Sequence, residues 1–536
     1  MPDTAEKRRS AWSVLPMALI IIIPLGMVML SFLQPQPQEW AHFTEYVLPR
    51  VLWNTLLLAV GVGLGVLVLG VGLAWLTSMC EFPGRRWLTW ALMLPMAIPA
   101  YVLAFVHVAL WDYAGPVQSL WREWLGSLVG FPPIRSTGGV VLVMCLALYP
   151  YVYLLARQAF LTQGRRLMEA AQTMGFSHRQ AFWRVAVPMS RPWWMAGVTL
   201  ALMETLADFG TVSVFNFDTF TTAIYKAWFS LFNLPLASQL ATLLVLLVLL
   251  LVLAEHKARG ARAYSGKLAS GERIVLSGAS RWLATGGCLV VWAMAFMVPF
   301  IQVCIWAAKV WHAGMDLRYL GFIGHSVLLA TSAALLVAGV ALGLAWKRRS
   351  HTDRITRSLT RIATLGYAVP GMVLAVGIYV PIAWLDRQMA LIGAQFGVSM
   401  PWMISGTLCV MLVALCSRFL AVGFEPIEAG FKRISRSQEE AARCLGLSPR
   451  GMLIKLYTPL LSGSIFSAAL LVFVDVMKEM PITLMTRPFG WDTLAVRVFE
   501  MTSEGLWEQA ALPSLLIVMV GLLPVIMLMR ENPRHE

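Results

Sequence analysis

Four carboxylates stand where an apolar chain least tolerates charge. Glu204 and Asp208 interrupt an otherwise uncharged run at 193–215, and Asp475 and Glu479, with Lys478 between them, interrupt a second at 464–485. An ionisable side chain near a bilayer centre costs about 2.5–3.5 kcal/mol, so such groups belong in a bundle interior or beside a watered path, not against lipid. Each pair is spaced four residues apart, which in an unbroken helix puts both carboxylates on one face. A ring of carboxylate oxygens suits a hard cation, of which Fe³⁺ is one, held transiently on its way through. A second reading stays open: a structural polar network in which some of the carboxylates pair with Lys478. No resident metal site is indicated. His107, His42, His178 and His325 have no His or Cys four residues away, and the 7 cysteines include no C-x-x-C pair, which also leaves no disulfide framework.

The elements that must hold these groups follow from composition. Hydrophobic residues make up 58% of the 536 and charged ones 13%, with mean hydropathy +0.70, which excludes a soluble enzyme. Runs such as 56–76 and 237–254 match the roughly 20 residues a helix needs to cross ~30 Å of hydrocarbon. A membrane β-barrel would show short alternating segments instead. The expected fold is an all-α polytopic membrane protein with twelve spans, at 12–33, 53–77, 88–111, 138–160, 193–215, 237–254, 282–306, 325–346, 362–385, 403–424, 464–485 and 510–529. Lys7-Arg8-Arg9 followed by an apolar stretch without a small-residue cleavage site reads as an uncleaved first helix. When loops are assigned alternately, most of the 42 Lys and Arg fall on the side of the N-terminus, counting Arg418 and other arginines just inside helix ends. That bias makes the side cytoplasmic, with both termini on it, and accounts for the net charge of +14 without nucleic acid.

The chain also repeats itself. Glu169-Ala170-Ala171 with Gly175 returns as Glu440-Ala441-Ala442 with Gly446, and a proline follows each glycine, at Pro188 and Pro459. Under the same shift Trp75 falls on Trp346, Pro99 on Pro370, Glu204 on Asp475 and Asp208 on Glu479. Residues 1–254 and 282–536 are therefore expected to be two six-helix halves, joined by a basic, Gly- and Ser-containing linker at 255–281. With six spans each, the halves keep the same orientation, which makes the repeat parallel. Pro95 and Pro99, and Pro370, Gly371 and Pro381, interrupt the third span of each half. They mark either packing kinks or backbone opened beside a path.

Both Glu-Ala-Ala segments fall in expected cytoplasmic loops, at 161–192 and 425–463. Glu-Ala-Ala favours a short helix. The glycine permits a left-handed turn or a close backbone approach, and Ser177 and Ser448 can cap a second helix that ends at the proline. Helix, turn, helix and stop make a compact knob, and two matching knobs suit a two-fold partner.

Glu-Ala-Ala-x-x-hydrophobe-Gly with its later proline resembles the coupling loop of binding-protein-dependent ABC importer permeases, of the type I fold. The resemblance implies that Glu169, Ala170, Ala171 and Gly175, and Glu440, Ala441, Ala442 and Gly446, dock into two copies of a cytoplasmic ATP-hydrolysing subunit. Met174 stands where the family usually has Leu. Glu204-Thr205-Leu206-Ala207-Asp208-Phe209-Gly210 and Asp475-Val476-Met477-Lys478-Glu479-Met480-Pro481, with Arg487-Pro488-Phe489, resemble ferric-iron permeases, including fused two-half ones. Related fused permeases carry thiamine or phosphonates. The family implies a bacterial inner membrane and a periplasmic binding protein that delivers cargo outside. The outward loops 216–236 and 486–509 are candidates for that contact, although Trp228, Phe229 and Trp507 in them could equally be interface anchors. No G-x-x-x-x-G-K-[ST] occurs, so ATP and Mg²⁺ would be used by the partner, and the chain is read as a transport subunit that binds no cofactor. An ion-coupled secondary transporter would leave the paired knobs without a purpose.

Overall fold

The computed structural model describes residues 4–34, 36–125, 132–259, 273–314, 317–350, 353–396 and 403–531. Helices dominate, as they must where backbone polar groups have no water to bond. Among the described residues nine helices are long and apolar enough to cross a membrane, or eleven if each of two bent pairs counts as one span. Each falls on one of the expected spans, although 88–111 is matched only from Ala100 and 464–485 only as far as Met477, and the fifth expected span has no counterpart among them. Over 193–215 the helix Arg191–Ala207 stops, and a separate short helix, Gly210–Val214, follows. The expected fifth span is therefore broken, and the second repeat breaks at the matching place, between Ser462–Met477 and Pro481–Thr486.

The third-span prolines do more than kink a rod. Pro99 is the N-cap of helix Ala100–Trp111, and Pro370 is the N-cap of helix Gly371–Gln395, each in extended backbone. The residue before a proline is pushed out of helical geometry, so the chain must restart. In the second repeat the segments on either side of the break, Arg354–Ala368 and Gly371–Gln395, lie 114° apart.

The chain forms two compact units, and neither follows a sequence half. One comprises Met1–Pro37, Ile224–Val245 and Met315–Arg497. In it the N-terminal helix Thr4–Leu30 packs on Arg354–Ala363 and Gly371–Gln395, and Val14 and Ala18 join a buried cluster with Ala341, Leu344, Leu420 and Phe424. A Cβ on Gly377 would lie 2.6 Å from the Pro24 carbonyl oxygen, so glycine is what lets these two backbones meet. Pro24 also leaves the Ile20 carbonyl without its helical donor; the Ser417 hydroxyl lies 3.4 Å from it. Thr242 Oγ1 donates to the Val28 carbonyl at 2.7 Å and Gln239 Nε2 to Gln34 at 2.8 Å, which ties in the sixth span.

The other unit comprises Gln38–Ala223, Leu246–Gly314 and Val498–Glu536. Leu48–Met79 lies along Thr137–Ala159, with Gly70 so close to Val152 that a Cβ would sit 2.5 Å from the valine Cβ. Phe105 stacks on Trp306 and Trp507, both from the second half, at centroid distances of 6.3 Å. Of the expected linker, 255–259 continues the Leu234–Arg259 helix, and 260–272 lies outside the described residues. Beyond it Ile274–Val275 pairs in parallel with Cys80–Glu81, where Glu81 accepts from Arg85 at 3.0 Å and Arg273 at 3.4 Å.

Candidate functional site

Each knob is built as its local sequence requires. The helix Arg165–Thr173 ends on Gly175, whose φ of +85° is left-handed. Gly175 N–H bonds the Gln172 carbonyl at 2.9 Å and Phe176 N–H the Ala171 carbonyl at 3.0 Å, the double bond of a Schellman stop. The second knob repeats it. Helix Arg436–Cys444 ends on Gly446 at φ +80°, with Gly446 N–H to Arg443 at 2.9 Å and Leu447 N–H to Ala442 at 3.2 Å. Nothing lies within 4 Å of a Cβ on either glycine, so of the two roles open to them the turn applies and close approach does not. Ser177 exchanges hydrogen bonds with Gln180, and Ser435 with Gln438, as reciprocal caps. Ser448 accepts from Gly451 N–H.

Ala171 and Ala442 face inward and are buried, whereas Glu169, Ala170, Glu440 and Ala441 face out. Met174 and Leu445, at the matching position before each glycine, are 67% and 83% exposed. Each knob thus displays one large apolar side chain, at the same register, on an otherwise polar surface. The knobs differ in what anchors them. Arg349 Nε meets Glu439 Oε1 at 2.9 Å and Arg349 Nη2 bonds the Ile434 carbonyl at 3.0 Å. Their counterparts in the first repeat are Ser78 and Met168, both buried, with Ser78 bonded within its own helix to Ala74.

The carboxylates occupy the breaks. Glu204 lies half-buried in the last turn of Arg191–Ala207, and no hydrogen bond or ion pair to it is found among the described residues. Asp208 is past the helix end, in extended backbone, so Glu204 and Asp208 do not share a helical face as their spacing suggested. The physical reason is capping. Asp208 Oδ1 accepts from Thr211 N–H at 2.9 Å and Val212 N–H at 3.2 Å, and Oδ2 from Thr211 Oγ1 at 3.0 Å. It thereby starts the new helix. Glu479 likewise stands beyond Met477, and its Oε1 accepts from Ile482 N–H at 3.1 Å. Its Oε2 also lies 3.6 Å from Arg418 Nε, both side chains being at most 8% exposed. Asp475, still on its helix, pairs with Lys478 at 2.9 Å, as the structural reading of the sequence allowed. Arg418 is the residue sequence reasoning misplaced. Counted with the basic helix ends, it is buried inside helix Leu408–Arg433. A lone charge in the apolar run 403–424 was the available signal. Among the described residues no three His, Cys, Asp or Glu side chains converge to hold a metal.

Comparison with known proteins puts both knobs and both broken spans inside one recurring pattern. The family of binding-protein-dependent transport system inner membrane components matches residues 61–258 and again 336–531. The chain belongs to that family. The permease is 26% identical over 486 residues to the Fe(3+)-transport system permease protein FbpB 2 of Haemophilus influenzae, which covers 89% of both chains. It is 29% identical over 207 residues to the sulfate permease CysT of Escherichia coli, covering 37% of this chain and 71% of CysT. The molybdenum permease ModB of the same organism is 28% identical over 189 residues, or 34% of this chain and 81% of ModB.

In the loops 216–236 and 486–509 of the permease, two of the aromatics singled out by sequence are packed, while Phe229, beside the Tyr225 and Trp228 rings, is exposed. Trp228 lies 4.8 Å from Tyr379 between ring centroids, and Trp507 lies against Phe105. Phe489, quoted in the ferric-iron resemblance, is fully exposed beside Gly490 at φ +74°, in a loop held by the Arg487–Asp492 ion pair. His325 stacks on Trp491 at 4.0 Å, and His107 is buried against the Met294 carbonyl at 3.1 Å.

Proposed function

We propose that this permease is the membrane subunit of an ATP-driven importer for ferric iron in a bacterial inner membrane, with both termini and both knobs in the cytoplasm. The observation that carries the cargo is the length of the likeness. The ferric-iron relative is matched along 89% of each chain, while the sulfate and molybdenum relatives each match little more than a third of this one. Two copies of a separate ATPase, using ATP and Mg²⁺, would grip Met174 and Leu445 and the exposed faces of Glu169, Ala170, Glu440 and Ala441. A periplasmic binding protein would deliver the ion to the loops 216–236 and 486–509. Closure of the motor would then switch access from one side to the other.

Of the four acidic positions, Glu204 is the best suited to transient contact with a hard cation, since Asp208 and Glu479 are committed to helix starts and Asp475 to Lys478. The partial relatives, together with buried Arg418, favour an oxyanion as the second reading. Uptake of radiolabelled Fe³⁺, sulfate, molybdate, thiamine and phosphonate by cells with and without this gene decides the matter. Iron uptake that requires the gene, and falls with E204Q, is the expected result. Gene-dependent uptake of another cargo alone would replace the ferric-iron reading.

A further inference from the structure

The shift that aligns the two repeats exposes a set of three differences meeting at one point. Gly371, Arg418 and Glu479 of the second repeat correspond to Ala100, Ala147 and Asp208 of the first. In the second repeat these three belong to three separate elements: the first turn of Gly371–Gln395, the middle of Leu408–Arg433, and the break after Met477. They nevertheless touch. A Cβ on Gly371 would overlap Arg418 Nη1 and lie 3.0 Å from Glu479 Oε1 and 3.3 Å from Ile482 Cγ1. Gly371 has no positive φ, so glycine is needed there for the space a buried guanidinium takes, not for backbone freedom. Glu479 then does two things at once: it caps Ile482 and faces Arg418. In the first repeat a shorter carboxylate, Asp208, reaches only the cap, and two methyl groups stand at the positions of the glycine and the guanidinium.

We propose that Gly371, Arg418 and Glu479 form an interlocked set that pins the break of the second repeat, with Arg418 a positioning residue of the transport path that the first repeat lacks. The glycine exists because of the arginine, and the longer acid exists to reach it. The inference does not depend on which cargo is carried.

A melting-temperature cycle on the full-length protein in lipid nanodiscs tests it. G371A alone is expected to lower the melting temperature by about 5 °C, the scale of an overpacked core site. In an R418A background the same G371A is expected to lower it by no more than about 2 °C, because the nearest of the crowding atoms is gone and only Glu479 and Ile482 must give. The triple change G371A/R418A/E479D, which copies the first repeat, melts within about 3 °C of wild type. An equal cost for G371A in both backgrounds, or a triple variant that fails to insert, overturns the interlock. Pinning has its own readout. With Cys304, Cys409 and Cys444 replaced by serine, M480C places a thiol at a position that is buried in the break. Its labelling by a water-soluble maleimide is expected to rise at least tenfold in the triple variant. Unchanged labelling would reduce the set to packing and overturn the positioning role. Neither measurement uses cargo, so a failed iron uptake assay leaves both intact.

Discussion

The two repeats break the same span at the same register and secure the break by different chemistry. After Ala207 a single aspartate turns its carboxylate onto the next helix, with Thr211 supplying both a backbone and a hydroxyl donor. After Met477 the glutamate performs the same cap with Arg418 at its back, and Lys478 takes up Asp475. The first break therefore carries two carboxylates without a cation in the corresponding positions, while the second carries two carboxylates and two cations. The knobs show the same drift: where one has the Arg349–Glu439 ion pair, the other has the uncharged and buried Ser78 and Met168. What duplication has kept is backbone geometry, the caps and left-handed turns. Charge compensation has been free to diverge.

The strongest way to break this comparison is at what the repeats share. Valine at Gly175 or Gly446 must adopt a left-handed conformation costing about 1–2 kcal/mol, enough to deform the knob without unfolding the chain. Energy-dependent uptake should fall at least ~10-fold for either variant while membrane insertion stays normal; full uptake in one of them would mean the knobs are not equivalent handles. The next effect separates the breaks. E479Q leaves a buried guanidinium uncompensated and should cost about 3–5 kcal/mol, whereas D208N, which keeps a capping oxygen, should cost about 1 kcal/mol or less. Equal losses in denaturant melts would erase the proposed difference. R349A, cutting the anchor of the second knob, is expected to cost about 1–2 kcal/mol and weaken binding of the ATPase several-fold, against S78A within about 0.5 kcal/mol. Smallest in stability is E204Q, expected within about 0.5 kcal/mol on melting yet slowing uptake more than D475N. The reverse order would move the path to the second repeat.

Features fixed by neighbouring residues were legible before any coordinates. The knobs are an example, because a Schellman stop and a serine cap need only a few consecutive residues, and so is the register between repeats. The broken spans were half legible. Spacing by four suggested one helical face, while Asp208 followed by Phe-Gly-Thr and Glu479 followed by Met-Pro-Ile already held the capping acid and the Pro481 of a new helix. Apolarity outweighed those signals in locating a span of the usual length. Arg418 was not legible, since its worth depends on Gly371 and Glu479, which come from other elements. Nor was the mixing of the two halves within each compact unit, for periodicity describes which face of a helix is apolar and not which helix will cover it.

That mixing has a consequence for biogenesis. The N-terminal helix Thr4–Leu30 finds most of its packing partners in segments that begin at Arg354, beyond the earlier ties to Thr242, Ala341 and Leu344. At 5–20 residues per second the ribosome needs on the order of half a minute to make the intervening chain. For that interval a proline-bearing helix with an opened carbonyl waits in the bilayer with much of its surface beside lipid or an insertion chaperone, and its docking joins the oldest part of the polypeptide to segments made well after it.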